Sequence, residues 1–522
     1  MSVILNNVDR IVNSIGDAID FAQGVGGGSS KEFVATGNIG QGQTVGLKAD
    51  GTVEVIKVDS QNIASSFGSA APIKDYTMSH SQTSQVECVY HPTQNKIVIF
   101  WKDGQWYEGK ACVGTVNGDN ITFGSWADFD SGHVHTIRAV YDPINDGILV
   151  VYIKPVSGSG NLGYANYATV SGNTITFMGN NSIGSGEISS GEVEFDPNSG
   201  KFIYVFKHTV SSYPYAQILT KNASNIGVNV ATVLTSKALG GHALKYNPSV
   251  GKVVWAKSYY GHNSSSVSYL TISGSSIVNT EVMGLFGRDM TGCRLAFNED
   301  SQNMELYFQE VDNGTGNSTK LQMMTLYLTS GSATKSAATE ISTHDAAPFA
   351  AIYSPYHKRT IVTYVYSYAS YVINVDNSGA TPSFQGQQLP PTVHPNNTAI
   401  ASVHSPTYFP SLAYNSAENK IVTAYLDGDW VDLRTINPEF VLNSYNALSW
   451  LGIADEVITS GDSGKINLIG SVDSHQTGLT TGNTYYVNYD GTLTDTPNEG
   501  VENGTYGKIG KALSSTSLLL SK

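Results

Sequence analysis

Six histidines, His80, His133, His135, His242, His344 and His404, each stand 4 to 10 residues before an aromatic residue that recurs along the chain: Tyr90, Tyr141, Tyr246, Tyr353 or Tyr414. Imidazoles held at one level of a repeating fold could bind a metal or an anion. Their spacing is too uneven for a designed ring, so hydrogen-bonded loop histidines are the competing reading and no metal site is assigned. Cys88, Cys112 and Cys293 form no C-x-x-C pair and no disulfide framework, and read as small buried hydrophobes.

The second set of candidates is aromatic. Trp101, Trp106, Tyr107, Tyr213, Tyr215, Tyr259, Tyr260, Tyr366, Tyr368, Tyr371 and Trp430 cluster just after a strongly apolar stretch in successive segments. Rings with few rotamers and a polar edge suit recognition of protein or sugar. A surface built on Trp106, Tyr213, Tyr215, Tyr259, Tyr260, Tyr366, Tyr368 and Trp430 is expected to do this. The alternative is that the rings seal gaps between packed sheets.

These candidates are positioned by a repeat. VYHPTQNKIVIFW from Val89, VYDPINDGILVVYI from Val140, EFDPNSGKFIYVFK from Glu194, KYNPSVGKVVWAKS from Lys245, AFNEDSQNMELYFQ from Ala296, IYSPYHKRTIVTYV from Ile352 and AYNSAENKIVTAYL from Ala413 share one pattern. Their anchors Tyr90, Tyr141, Phe195, Tyr246, Phe297, Tyr353 and Tyr414 are 51 to 61 residues apart. Each copy predicts a strand, a polar turn and a second strand apolar almost throughout, as strands buried on both faces are. Asp or Asn before Pro predicts an Asx-type turn, and Lys96, Lys201, Lys252 and Lys420 are expected to keep its far end solvated. A weaker hairpin follows in TVNGDNITF from Thr115, TVSGNTITF from Thr169 and TISGSSIVN from Thr271, turning on a glycine. Two hairpins per period make a four-stranded unit, the mark of propeller blades. Residues 76–445 are therefore expected to form a seven-bladed β-propeller, with stacked sandwich domains as the alternative. Residues 437–445 and the segment before Tyr90 compete for the strand that closes the ring.

The ends differ from the repeat. Ile4, Val8, Ile11 and Ile15 form a heptad seam, predicting an oligomerisation or docking helix over 1–23. Isoleucine at both seam positions favours trimers or tetramers. A Gly-rich hinge over 24–31 follows. Gly42, Thr44, Asp50 and Gly51 reappear with identical spacing as Gly482, Thr484, Asp490 and Gly491. A small split β domain, 32–75 with 446–522, is therefore expected to hold the propeller as an insertion.

The segment GIADEVITSGDSGKINLIGSVDSHQTGLTTGNTYYVNYDGTL from Gly452, closing with GKALSSTSLLL from Gly510, resembles the β module of bacteriophage virion proteins, particularly tail-fibre and host-attachment proteins. EFVATGNIGQGQTVGLKADGTVEVI from Glu32 fits the same pattern. The resemblance implies a virion component and carries no catalytic residues.

Composition narrows the partners. The 522 residues hold 29 Lys plus Arg against 43 Asp plus Glu, a formal charge of −14, which disfavours nucleic acid and anionic membranes. The sequence offers no membrane-spanning run and no secretory signal, so assembly in a host cytoplasm is expected. Sialidase-like chemistry would need an arginine cluster and S-x-D-x-G-x-T-W hairpins. The propeller has only Arg138, Arg288, Arg294, Arg359 and Arg434, and no such box. Arg138, three residues before Tyr141, could at best line the channel.

The expected protein is thus all-β, with a short N-terminal helix, no cofactor and no enzymatic activity. It would be a virion subunit whose propeller binds a host surface receptor or glycan, with other virion proteins and sister copies as partners. An architectural subunit and a glycan-degrading propeller are the alternatives.

Overall fold

In a computed structural model of the chain, the anchor hairpin is built identically seven times. The structure describes residues 30–48, 50–56, 65–69, 71–73, 86–103, 107–184, 186–261, 264–285, 289–310, 321–342, 347–366, 369–378, 382–388, 410–427, 430–438, 450–487, 491–496 and 507–521. Every anchor pairs with the residue seven positions on: Tyr90 with Ile97, Tyr141 with Ile148, Phe195 with Phe202, Tyr246 with Val253, Phe297 with Met304, Tyr353 with Thr360 and Tyr414 with Ile421. The residue five past each anchor is left-handed: Asn95, Asp146, Gly200, Gly251, Gln302, Lys358 and Asn419 have φ between 48° and 66°. That conformation is what a tight antiparallel return requires. In five copies the residue after the anchor is the Asp or Asn that holds the turn. Asp142 Oδ1, for example, accepts from the backbone N–H of Ile144 and Asn145, and Asn415 Oδ1 from those of Ala417 and Glu418.

Two compact units are present, Met1–Ile63 with Phe440–Lys522, and Ala64–Glu439. Among the described residues of the larger unit, seven antiparallel sheets follow one another along the chain. Their first strands are Val86–His91, His135–Asp142, Ile188–Asp196, Leu239–Asn247, Met290–Asn298, Pro348–Ser354 and Ser411–Asn415. Each touches the next, and the last touches the first, so they close a ring. This is a β-propeller arrangement. The second strands carry the core: Ile97, Val98, Ile99, Phe100 and Trp101 are all fully buried, each such side chain contributing roughly 1.5–3 kcal/mol. Lys96 and Lys420 do more than solvate a turn, since Lys96 Nζ donates to Thr115 Oγ1 at 2.6 Å and Lys420 Nζ to Asp119 Oδ1 at 2.9 Å on the first sheet.

The last sheet takes its outer strands from the beginning of the unit. Ser65–Phe67 and Ala71–Ile73 pair with Trp430–Pro438. The segment before Tyr90 closes the ring, and Ser65–Phe67 and Ala71–Ile73 belong here rather than to the split domain expected to run to residue 75.

The smaller unit holds two five-stranded sheets. One orders Ser30–Val34, Ser463–Leu468, Trp450–Ala454, Thr44–Leu47 and Val53–Val55; the other orders Val472–Asp473, Leu518–Leu520, Gly507–Ala512, Thr484–Val487 and Leu493–Thr494. They are copies of one module. Gly42 N–H donates to Ala454 O at 2.9 Å as Gly482 N–H does to Ala512 O at 2.8 Å, and Ala454 N–H to Gln43 O as Ala512 N–H to Asn483 O. The register slips at Val45/Gly46 in one and at Tyr485/Tyr486 in the other. The larger unit enters the chain between Val53–Val55 and Trp450–Ala454, a link made by the short stretch from Asp495 to Tyr506 in the second copy. The last two residues of the expected hinge, Ser30 and Lys31, are strand. The helix expected over 1–23, with Ile4, Val8, Ile11 and Ile15, lies outside the described residues; no α-helix occurs among the described ones.

Gly452 and Gly510 are equivalent, and a Cβ on either would meet partner-strand backbone, 2.2 Å from Asn467 O and 2.0 Å from Leu519 O. Gly452→Ala and Gly510→Ala should each cost about 1–3 kcal/mol by overpacking, read as a lowered melting temperature. Gly284→Ala, where nothing stands within 4 Å of the added methyl, should melt as the parent does.

Candidate functional site

Among the polar clusters formed by the described residues of the larger unit, two bear on function. The first lines the inside of the ring. The residues three before the anchors are Glu87, Arg138, Glu192, Ala243, Arg294, Ala350 and Ser411, because a fixed hairpin register puts the same strand position on the same face in every sheet. Glu192 joins two arginines from different sheets, Arg138 Nε at 2.9 Å and Arg294 Nη1 at 3.6 Å. Burial pushes the Glu192 carboxyl up, but Arg138 and Arg294 outweigh it and hold it below the usual range. Burial opposes the Arg138 charge, and Glu192 with Glu87 more than restores it. At Glu87 burial outweighs Arg138, Arg294 and the Ser411 hydroxyl and pushes the carboxyl up to about 7. His242, one residue earlier on its strand than Ala243, is driven down to about 4 by burial.

The second cluster lies where second strands end and first strands begin. Lys102 closes Lys96–Lys102, and His135 opens His135–Asp142. The Lys102 ammonium stands 4.6 Å from the centre of the Tyr107 ring. His133 stacks between Tyr107 and His135, with ring centres 4.4 Å apart on both sides. Lys102 is 1% exposed, and neither its Nζ nor His133 Nε2 has a hydrogen-bond partner among the described residues. Burial alone lowers the ammonium to about 8. Burial and then Lys102 lower His133, and burial, Lys102 and His133 take His135 to about 4. At neutral pH the imidazoles are uncharged and the lysine is the cation. A cavity of about 250 Å³ opens here, lined by Lys102, His135, Thr136, Asn161 and Ser189 with Ile153 and Ile188. Tyr107 and Thr136 both have positive φ, 62° and 47°, a costly conformation for a β-branched residue.

The remaining expected residues are dispersed. Tyr260 is 73% exposed and its neighbour Tyr259 only 5%; Tyr259 is interior, under Lys237 and Lys257 at 5.1 and 5.9 Å. Tyr213 and Tyr215 are half-buried, and Tyr215 stacks on Phe206 at 5.6 Å. These rings pack more than they project, and Tyr259 is withdrawn from the recognition surface. Trp106 and Tyr368, with His80, His344 and His404, lie outside the described residues, as do the side chains of Tyr366 and Trp430. Among the described residues no group of three His, Cys, Asp or Glu is placed to hold a metal, and no helix is long and apolar enough to cross a membrane. Lys102, Glu87 and Glu192 escaped the sequence reading, although the row three before the anchors is a signal that could have found the two glutamates.

The fold and site define a β-propeller with a polar interior. The chain matches no family of known proteins and no curated relative. Among solved structures it is similar to the β-propeller domain of Myceliophteria thermophila Cps50 (Swd1), at 10% identity and TM-score 0.41, covering 72% of this chain and 99% of that one. Kuenenia stuttgartiensis hydrazine synthase matches at 9% and 0.45, covering 69% and 98%. The periplasmic gluconolactonase of Pseudomonas aeruginosa matches at 12% and 0.43, covering 69% and 95%. Likeness at this level does not carry over any activity.

Two outcomes test the interior cluster. Glu192→Gln strands Arg138 and Arg294 and should cost about 3–5 kcal/mol, read by denaturant unfolding. Folded Glu87 keeps its proton to about 7 against an ordinary 4.5, so its contribution to stability is complete below about 4.5 and is lost as pH rises towards 7. Glu87→Gln should therefore flatten the fall in melting temperature across that window; an unchanged pH profile would refute the assignment.

Proposed function

We propose that this chain is a non-enzymatic structural protein of a bacteriophage virion, a tail-fibre or host-attachment component. Its ring of sheets is a closed seven-bladed propeller that binds a host surface receptor or glycan. The observation that carries this is the terminal module. Its sequence resembles the β module of tail-fibre and host-attachment proteins, and it occurs here twice, with the same hydrogen bonds at Gly42 and Gly482. A duplicated small module with a large insertion separates attachment from recognition: the module serves other virion proteins, and the insertion meets the host. The segment 1–23 gathers sister copies, so that several weak sites act together.

One observation favours the glycan-degrading alternative, the Glu87 carboxyl poised near neutrality beside Arg138. Against it, Glu192 already occupies both arginines, leaving no cation pair for a substrate carboxylate.

Purified protein should bind intact bacteria or their surface polysaccharides saturably and release no reducing sugar. Tyr260→Ala should weaken that binding at unchanged melting temperature, whereas Tyr259→Ala should lower the melting temperature. Reducing-sugar release would establish the enzyme, and absence of cell binding by a protein that co-purifies with virions would establish the architectural role.

A further inference from the structure

We propose that the cavity beside Lys102 binds one carboxylated sugar ring, the carboxylate pairing with the Lys102 ammonium. The proposal rests on the host-glycan reading and names the class of glycan.

A cation removed from water is ordinarily paired, because an uncompensated buried charge costs several kcal/mol. Lys102 departs from this. It is buried, its Nζ has no hydrogen-bond partner among the described residues, and the face of Tyr107 stands 4.6 Å from it. Asp103 follows it in the chain, but that carboxylate pairs with Lys110 at 3.1 Å. The described residues that line the cavity include no carboxylate and offer the hydroxyls of Thr136 and Ser189, the amide of Asn161 and the ring of His135. A sugar needs such donors and acceptors for its hydroxyls, and the buried Ile153 and Ile188 back the cavity wall. The volume of about 250 Å³ falls below the ~300–1,000 Å³ of pockets that take drug-sized ligands, so a single ring fits and an oligosaccharide extends outside. A single ammonium matches a single negative charge, whereas phosphate groups are usually met by arginine forks or several donors.

Backbone strain points to the same place. Among described non-glycine residues, positive φ occurs at the five turn positions already named and at Tyr107, Thr136 and Ser212. Two of these last three flank the cluster, and strain of this kind persists where function over-determines the backbone. In the interior cluster, by contrast, Glu192 meets its arginines.

Calorimetric titration of the full chain with methyl β-D-glucuronide, methyl β-D-glucoside and glucose 6-sulfate tests the assignment. A charge-assisted contact predicts the glucuronide bound about tenfold or more tighter than the neutral glucoside, with the sulfate weaker than the glucuronide. Lys102→Met should abolish the preference while holding or raising the melting temperature, since it removes an unpaired charge. Ser189→Phe, which adds a ring at the cavity lining and keeps the lysine, should abolish binding as well. Equal affinity for glucuronide and glucoside, glucuronide binding that survives both substitutions, or preference for the sulfate overturns the proposal. A fall in melting temperature for Lys102→Met with glucuronide preference intact overturns it also, making the lysine structural. If the parent protein binds cells but not the glucuronide, this inference fails while host recognition stands; if it binds neither, both fail.

Discussion

The larger unit depends on one constraint, the seven-residue pairing of each anchor with the start of the next strand. Because strand side chains alternate, a slip of one residue would exchange the two faces of a sheet. Holding the register constant in seven sheets puts Glu87, Arg138, Glu192 and Arg294 at one level inside the ring. The left-handed residue five past the anchor enforces that register from within each turn. Local chemistry of a few side chains therefore sets long-range geometry, and neighbouring sheets need only pack apolar faces already aligned.

The two polar clusters show opposite uses of burial. Around Glu192, unlike charges from three sheets satisfy one another, and the cluster acts as a rivet through the ring. Around Lys102 stand Tyr107 and uncharged imidazoles, and the ammonium has no hydrogen-bond partner among the described residues. Unpaired buried polar groups are rare enough in folded proteins to demand an explanation. A partner supplied from outside is a physical one.

The parts legible in sequence were those written in short-range chemistry. The Asp-Pro and Asn-Pro turns, the anchors and the apolar second strands announced the anchor hairpins, and Gly42 with Gly482 announced the duplicated ends. The closing strands were ambiguous because Ser65–Phe67 and Ala71–Ile73 have three residues each, too few for a periodic pattern. Tyr259 and Tyr260 looked equivalent, since adjacent residues at the end of a strand take opposite environments that only tertiary packing settles. Lys102 was hidden by its position at the end of KIVIFWK, where a lysine ordinarily marks the return to solvent. Its burial follows from the chain beyond it folding back to place Tyr107 against the ammonium.

The outer strands of the last sheet have a kinetic meaning. Arg434 Nη1 donates to Gly68 O across 366 residues of sequence, so the ring cannot shut until nearly the whole unit has been synthesised and each sheet has found its neighbour. Contacts so distant in sequence slow folding, because loop-closure entropy must be overcome before they form. Once shut, the ring resists opening at any single joint, as each sheet is flanked on both sides. Such a molecule is slow to make and slow to lose, and its persistence is set by an unfolding rate more than by equilibrium stability.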